Sequence, residues 1–285
     1  MIRKELLKRD FFSFRAIFSL AVLPNGDLVS GSSDKIIRIW DTHDKTVKIT
    51  FSGHSGWIRD LIAIDNNCII SASYDTTIKI WNITECALTK TLSIHTDCVL
   101  ALVKLDNGDF ASGSSDNTIK IWNINDGRVK KTLTGHVNSV CALLLLNSYQ
   151  LASGSYDSTI KIWNVESGTI LRTLTGHADC VNTLILLKNG NLVSGSDDNT
   201  IIIWNIDSET IKRTLTRHTS SILALQVLYN GDLVSGSNDG TIKIWDVDTE
   251  TVKKEIQVNT APTSIQLLNN GDLVSASNNS IIIWG

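Results

Sequence analysis

Short runs of hydrophobic and β-branched residues, separated by polar turns, recur along the whole chain. Residues 136–176 show the pattern best, with such runs inside 140–146, 151–155, 159–163 and 169–174. Runs of this length and composition between turn residues predict β-strands, so each repeat predicts a four-stranded antiparallel sheet. No segment shows a sustained helical period. The pattern therefore predicts an all-β protein.

The period is fixed by tryptophan. Seven of the eight tryptophans are separated by five gaps of 41 residues and a last gap of 39, at Trp40, Trp81, Trp122, Trp163, Trp204, Trp245 and Trp284. A fixed period of about 20–50 residues indicates a repeat architecture. One four-stranded sheet with two apolar faces cannot bury itself, whereas seven arranged radially bury one another. We therefore predict a seven-bladed β-propeller that forms a single domain over residues 1–285.

The first turn of most repeats has the same chemistry. Asn-Gly pairs separate the first and second predicted strands at residues 25–26, 107–108, 189–190, 230–231 and 270–271. Asn-Gly tolerates positive φ at both positions, which a tight hairpin of the right twist requires. The sequence predicts such a hairpin at each pair.

Recurrent motifs resemble the WD-repeat β-propeller family over essentially the whole chain. Gly-His precedes the first strand at Gly53-His54, Gly135-His136 and Gly176-His177, with Ile94-His95 and Arg217-His218 as degenerate copies. Ser-x-Ser lies in the second strand, Asp in the next turn, and Trp-Asp or Trp-Asn ends the third strand. The resemblance implies that a propeller binds proteins or peptides without catalysis.

The last repeat ends after a third strand, at Trp284-Gly285. Counting back by the period places residues 4–12 where a fourth strand belongs. We therefore expect the N-terminal segment to complete blade seven and to close the ring, as is common in the family.

Five repeats contain a His, a Ser, an Asp and a Trp at constant spacing. By resemblance these are the family's buried hydrogen-bond tetrads, with a structural role. The sets are His54, Ser71, Asp75 and Trp81; His95, Ser112, Asp116 and Trp122; His136, Ser153, Asp157 and Trp163; His177, Ser194, Asp198 and Trp204; and His218, Ser235, Asp239 and Trp245. Blades one and seven depart from the pattern, with Ser13 and Asn259 at the histidine position.

The same residue types could suggest a Ser-His-Asp hydrolase. A catalytic triad is one site with an exposed nucleophile and an oxyanion hole, whereas here five copies each end on a strand tryptophan. We therefore expect no catalytic residues. The histidines are one period apart rather than clustered, and no glycine-rich phosphate loop occurs, so we expect no metal and no cofactor.

Composition limits the classes of partner and the cellular location that we expect. Lys and Arg total 26 against 29 for Asp and Glu, a net charge of −3, so the strong positive field of a nucleic-acid-binding protein is missing. Five cysteines without a Cys-x-x-Cys motif favour a reducing, cytoplasmic location. No window approaches the ~20 apolar residues of a membrane span. We expect a monomer that binds neither nucleic acid nor membrane.

Basic residues concentrate on the predicted fourth, outermost strand. Lysine on an exposed edge strand discourages pairing with other chains, and we interpret the set as protection against aggregation. The set comprises Lys48, Lys90, Lys130, Lys131, Arg172, Lys212, Arg213, Lys253 and Lys254.

Function is expected where the repeats differ. The family's ligand contacts often use the top face, at the positions three and five residues past the histidine and just before the turn aspartate. Trp57, the one tryptophan outside the period, lies at such a position with Arg59 and Tyr74 on its blade and Phe18 on the neighbouring blade. Trp, Tyr and Arg are enriched at binding hot spots. Tyr156 and Asp197 occupy the same positions elsewhere, and Asp197 could receive a Lys or Arg.

These observations predict a non-catalytic scaffold, either a free-standing adaptor or a domain of a larger protein, that binds a partner segment on its top face. Two alternatives remain. The near-identical Thr-Ile-Lys-Ile-Trp runs of four blades also fit a recently duplicated or designed array without a specialised ligand. The second alternative is an enzyme that uses the propeller as a scaffold. A metal or cofactor bound to the purified protein would support that hypothesis.

Overall fold

The computed structural model describes residues 16–258 and 260–285 and the backbone of residues 4–6. Its regular elements are 28 strands, arranged as seven four-stranded antiparallel sheets. The prediction of an all-β, seven-bladed propeller is thus confirmed. Within the described residues, no helix is available that could cross a lipid bilayer.

The strands follow one another in a constant order, and each blade takes four. The first strand is β1 (Lys4–Leu6). Blade one comprises β2 (Ile17–Val22), β3 (Leu28–Ser32), β4 (Ile36–Asp41) and β5 (Thr46–Ser52); blade two β6 (Ile58–Ala63), β7 (Cys68–Ser73), β8 (Ile78–Asn82) and β9 (Ala87–Leu92); and blade three β10 (Val99–Lys104), β11 (Phe110–Ser114), β12 (Thr118–Trp122) and β13 (Val129–Thr134).

The remaining blades repeat this arrangement. Blade four comprises β14 (Val140–Asn147), β15 (Gln150–Ser155), β16 (Thr159–Asn164) and β17 (Ile170–Thr175); blade five β18 (Val181–Leu186), β19 (Leu192–Ser196), β20 (Ile201–Asn205) and β21 (Thr210–Leu215); blade six β22 (Ile222–Val227), β23 (Leu233–Ser237), β24 (Thr241–Asp246) and β25 (Thr251–Gln257); and blade seven β26 (Ser264–Leu267), β27 (Leu273–Ser277), β28 (Ser280–Trp284) and β1.

The N-terminal strand supplies the fourth strand of blade seven. The backbone of β1 pairs antiparallel with β28, with Lys4 opposite Trp284 and Leu6 opposite Ile282. The expected fourth strand covered residues 4–12, and residues 7–12 lie outside the described part of the chain. The described pairing therefore occupies the position expected from the missing strand of the last repeat.

The chain divides into two compact units. The first contains residues 1–102 and 263–285, and the second contains residues 103–262. In the first unit, the repeat tryptophans of blades one and two pack against a neighbouring blade, and Trp40 lies with Val274 and Ile283 of blade seven. Trp81 joins the cluster of Val29, Ile37 and Phe51 from blade one, with its ring centroid 5.2 Å from that of Phe51. The repeat tryptophans thus fill the space between neighbouring blades.

The second unit packs in the same way. Trp163 lies with Ala111 and Ile121 of blade three, and Trp204 lies with Ile160 and Ile162 of blade four. The glycine between the two serines of the second strand permits this close approach. A Cβ added to Gly154 would lie 2.7 Å from Cγ1 of Val181 on the next blade, too close for any side chain.

The Asn-Gly turns differ from the prediction. Gly26 has φ of 91°, whereas Asn25 is not among the residues with positive φ. The amide of Gly26 donates to the carbonyl of Leu23 at 2.8 Å, and the Asn25 side-chain oxygen accepts from the amide of Asp27 at 3.0 Å. The turn therefore spans the four residues 23–26 and ends on glycine. The asparagine stabilises it through its side chain rather than through positive φ. The expectation of a tight hairpin with positive φ at both residues was therefore wrong for the asparagine, and only the glycine has positive φ.

Candidate functional site

The four side chains of each tetrad in blades two, four, five and six form one chain of hydrogen bonds. In blade four the indole nitrogen of Trp163 donates to the Ser153 hydroxyl at 2.7 Å. The same hydroxyl lies 2.7 Å from Nε2 of His136, and Nδ1 of His136 lies 2.7 Å from the Asp157 carboxylate. A neutral histidine satisfies every step: its Nδ1–H donates to the aspartate, and its Nε2 accepts from the serine.

Burial and these bonds set the protonation states. Burial lowers the pKa of His136, His177 and His218 below the ordinary value for histidine, although an aspartate faces each ring. Burial opposes ionisation of Asp157, but hydrogen bonds from Thr159 and His136 lower its pKa to about 2. The sets of blades four, five and six therefore combine a neutral imidazole with an ionised carboxylate.

The tetrad serines are inaccessible. Ser71, Ser153, Ser194 and Ser235 are each 0% exposed, and each accepts a hydrogen bond from its tryptophan. A nucleophile must reach its substrate, which these hydroxyls cannot do. The geometry does not support the hydrolase interpretation of these residues.

The other three blades keep the bond between tryptophan and serine. Trp122 donates to Ser112 at 2.8 Å in blade three, where His95 and Asp116 belong to the same sequence set. In the two blades at the chain ends, Trp40 donates to Ser30 at 2.8 Å and Trp284 donates to Ser275 at 2.9 Å. Ser13 and Asn259, which replace the histidine there, lie outside the described residues.

Blade one supplies a different partner for its turn aspartate. The Arg38 guanidinium lies 2.8 Å from the Asp34 carboxylate, which also accepts from the Ser32 hydroxyl. Burial opposes the charge, but the serine and the arginine hold the pKa of Asp34 below its usual range. A cation within the blade thus stabilises the carboxylate that histidine contacts elsewhere.

Four predicted binding residues lie together in the first unit, and we call them the aromatic patch: Phe18, Trp57, Arg59 and Tyr74. Trp57 stacks between the other two rings, with centroids 5.7 Å from Phe18 and 5.5 Å from Tyr74, at interplanar angles of 28° and 27°. The Arg59 guanidinium lies 5.8 Å from the centre of the Phe18 ring, within cation–π range. The patch is therefore a continuous aromatic stack with a cation over one end.

Strand geometry brings these residues to one end of blades one and two. Phe18 is the second residue of β2, and Trp57 immediately precedes β6. Tyr74 follows the last residue of β7, which runs antiparallel to β6, so the end of one strand meets the start of the other. Trp57 is 45% exposed and Tyr74 39% exposed, while Phe18 and Arg59 are half-buried.

Tyr156 and Asp197, the remaining candidates, lie in the second unit. Tyr156 is 49% exposed, and its amide donates to the carbonyl of Ser139 at 2.9 Å. The Asp197 carboxylate accepts from the side-chain amide of Asn182 at 2.7 Å. Asp197 thus already has a neutral donor from within its own blade.

Asp60, next to Arg59, was not singled out by the sequence analysis. Its carboxylate accepts from the Ser19 hydroxyl of blade one at 2.9 Å and from the amide of Leu102 on blade three at 2.7 Å. Burial raises the pKa of Asp60, although three donors oppose this. Comparison of the repeats could have found it, because the equivalent residues of blades three and four are alanines, Ala101 and Ala142. Asp60 connects the strand that carries the aromatic patch to the strands on either side.

Metal ligands do not converge in the part of the chain that the structure describes, where no group of three or more His, Cys, Asp or Glu side chains could hold an ion. The sulfur atoms of Cys141 and Cys180 lie 3.5 Å apart. Two thiols alone fall short of the four ligands of a structural zinc site.

Comparison with known proteins identifies the repeats. The family model described as WD domain, G-beta repeat matches residues 11–41, 43–82, 86–123, 127–164, 168–205 and 209–246. Over 56 residues the chain is 41% identical to nuclear distribution protein PAC1-2 of Postia placenta (strain ATCC 44394 / Madison 698-R). That match covers 18% of this chain and 13% of the relative. Since the six family segments cover most of its length, the chain belongs to the WD-repeat family, whose propellers are generally non-catalytic scaffolds for protein interaction.

Proposed function

We propose that this protein is a scaffold that binds a segment of a partner protein at the aromatic patch. The observation that carries the proposal is the continuous stack of Phe18, Trp57 and Tyr74, in which two large rings remain 45% and 39% exposed. Exposed apolar surface is unfavourable in water, and exposed Trp and Tyr next to Arg are typical of interface hot spots. A partner segment would remove this surface from water.

The patch also predicts the chemistry of the partner. The three rings hold one another in place, so little side-chain entropy is lost when a ligand covers them. Among the described residues, Arg59 forms no ion pair, and its guanidinium donors are available to an acceptor oxygen. We therefore expect the partner to place an apolar or aromatic side chain on Trp57 and a carbonyl or carboxylate oxygen near Arg59.

The family relationship supports the scaffold role in its general form. WD-repeat propellers commonly bind proteins or peptides, and the matched relative is named as a nuclear distribution protein. The matched segment spans only 13% of that relative, so its role does not specify the partner of this chain. We therefore infer the partner class from the chemistry of the aromatic patch.

We further propose that the tetrads act as supports for the blades. Each one satisfies a buried indole, hydroxyl and imidazole within a single blade, as in Trp163, Ser153 and His136. Buried polar groups stabilise a fold only when all of them have partners. This role leaves the exposed positions that differ between blades free for binding.

Affinity capture from a lysate of the native host, quantified by mass spectrometry, tests the proposal. The wild-type chain is compared with a Trp57→Ala/Arg59→Ala variant and with a matched control, Tyr229→Ala/Arg128→Ala, which removes an exposed aromatic ring and an exposed arginine elsewhere. We expect at least one captured protein to fall about tenfold or more with the first variant and to persist with the control. An unchanged set of captured proteins would contradict the site.

A further inference from the structure

One lysine position of the fourth strand has an acidic partner in three blades. In each of these blades the lysine lies within ion-pairing distance of an aspartate at the start of the second strand. In two of the blades it also pairs with the aspartate of the Trp-Asp motif. The pairs are Lys48 with Asp27 (2.8 Å) and Asp41 (2.9 Å), Lys130 with Asp109, and Lys253 with Asp232 (2.7 Å) and Asp246 (3.3 Å). Aspartates of the same blade therefore neutralise these lysines locally.

Blade five lacks this compensation. Lys212 occupies the same position, but Asn191 stands where blades one, three and six have aspartate, and Asn205 stands where blades one and six have aspartate. The Lys212 ammonium donates to the side-chain oxygen of Asn191 at 2.8 Å, in the geometry of the ion pairs. Within the described ranges, no carboxylate forms an ion pair with Lys212. Blade five thus holds the Lys212 ammonium in the same place without a carboxylate beside it.

This ammonium lies at a groove between blades four and five, which we call the lysine groove. The groove has a volume of about 410 Å³, within the range of ligand-binding clefts. Its apolar surface comes from Leu146, Leu186 and Ile206. Its polar lining includes Asn147, Gln150, Asn189, Asn191, Asn205, Asp207 and Lys212.

Three carboxamides of the groove use their oxygens as acceptors within the protein. The side-chain oxygen of Asn189 accepts from the amide of Asn191 at 3.1 Å, and that of Asn205 accepts from the amide of Asp207 at 3.0 Å. The oxygen of Gln150 accepts from Asn147 at 3.2 Å. Among the described residues, the NH₂ groups of Asn189, Asn205 and Gln150 donate no hydrogen bond, so they are available to an acceptor on a ligand. An uncompensated cation and several N–H donors together favour an acceptor with negative charge.

We propose that the lysine groove binds a carboxylate side chain of an acidic protein segment. A single cation among neutral donors matches a monoanion, whereas a phosphate dianion is typically bound by several converging cations. Asp207 stands at the rim with its side chain 97% exposed, 3.9 Å from Arg172, and its charge further disfavours a dianion. The apolar surface would receive the hydrophobic residue next to the carboxylate. This site is separate from the proposed function at the aromatic patch and does not depend on it.

The repeats themselves supply the decisive variant. Asn191→Asp recreates in blade five the ion pair that blades one, three and six already contain, so it neutralises Lys212 without deleting it. Lys212→Met is the second variant, and Lys253→Met is the control, because Lys253 is already neutralised by Asp232 and Asp246. Thermal melting establishes that each variant is folded.

Calorimetric titration of the full chain at low ionic strength uses two matched peptides, acetyl-Leu-Glu-Leu-Glu-amide and acetyl-Leu-Gln-Leu-Gln-amide. The wild type and Lys253→Met should bind the glutamate peptide about fivefold or more tightly than the glutamine peptide, since one partly exposed charge-assisted contact is gained. Asn191→Asp and Lys212→Met should lose this preference. The proposal is overturned if the wild type shows no preference, if folded Asn191→Asp retains it, or if inorganic phosphate binds more tightly than the glutamate peptide.

Discussion

Trp57 and Tyr74 are joined twice. The backbone amide of Tyr74 donates to the carbonyl of Trp57 at 2.9 Å, and the two rings stack with centroids 5.5 Å apart. The backbone bond fixes the start of β6 against the turn after β7, so the stacking needs no ligand to hold it. Two exposed rings are thereby held in a stack at one end of blade two, with an interplanar angle of 27°.

A buried repeat tryptophan and the exposed Trp57 should differ sharply in their contribution to the free energy of unfolding. Trp163 is 1% exposed and packs between blades, so Trp163→Ala should cost about 3–5 kcal/mol of unfolding free energy. Trp57 is 45% exposed, so Trp57→Ala should cost about 1 kcal/mol or less. Urea denaturation followed by circular dichroism measures both. Equal losses would show that Trp57 is a packing residue rather than a binding residue.

The tetrad serine should matter more in a complete tetrad than in blade one. Ser153→Ala removes a partner from both Trp163 and His136, and each buried orphan costs about 1–3 kcal/mol. Among the described residues, the Ser30 side chain contacts one tetrad group, the Trp40 indole, so Ser30→Ala should cost about half as much. Urea midpoints of the two variants provide the comparison. A larger loss for Ser30→Ala would contradict the support role of the tetrads.

Acidification should destabilise the protein in two steps. The folded pKa of His136, His177 and His218 is below the unfolded value, so the unfolded state binds more protons as the pH falls below about 6.5, and stability declines. The folded pKa of Asp157 and Asp239 is about 2, so stability from these carboxylates is lost below the ordinary value of 3.8. Melting temperatures at constant ionic strength measure both windows.

The histidine step has a specific control. His218→Gln should reduce the slope of melting temperature against pH between about pH 7 and about pH 5, because one of the three shifted histidines is gone. A melting temperature that rises on acidification through this range would contradict the protonation states assigned to the tetrads.

The cysteines should differ in reactivity. Cys180 is fully buried, and the neighbouring Cys141 thiol together with burial raises its pKa far above the usual range, whereas Cys86 is exposed. Because the thiolate is the reactive form, iodoacetamide at about pH 8 should modify Cys86 about a hundredfold or more faster than Cys180. Peptide mapping over time gives the two rates, and denaturant should bring them together. Comparable rates in the native protein would contradict the burial of Cys180.

Much of the fold was predictable because its information is local and periodic. The tryptophan period and the turn residues specify four strands per repeat, and seven repeats specify the blades. The turn itself was mispredicted, since Asn25 uses its side chain to accept from Asp27, a bond that propensity for positive φ does not reveal. The resemblance to the WD-repeat family indicated the end of the blade at which Phe18, Trp57 and Tyr74 meet, and the antiparallel pairing of β6 with β7 explains why Trp57 and Tyr74 lie side by side.

Asp60 and Lys212 escaped prediction for a physical reason. The importance of Asp60 depends on which backbone amide of a neighbouring blade its carboxylate meets, which depends on the register between sheets. Lys212 stood out only when the structure showed that equivalent lysines bind aspartates about half a repeat away. The substitution of aspartate by Asn191 is visible in the sequence, but its meaning requires that contact.

Site-specific photocrosslinking at the aromatic patch tests the central claim most directly. The photoreactive amino acid p-benzoylphenylalanine replaces Trp57 in one chain and Tyr229, which is 60% exposed, in a control chain. Each is irradiated in a lysate of the native host. The account predicts a covalent adduct with a discrete partner protein from position 57 that is absent from position 229 and is lost when Arg59→Ala and Tyr74→Ala are added. Identical adduct patterns from the two positions, or none from position 57, would contradict it.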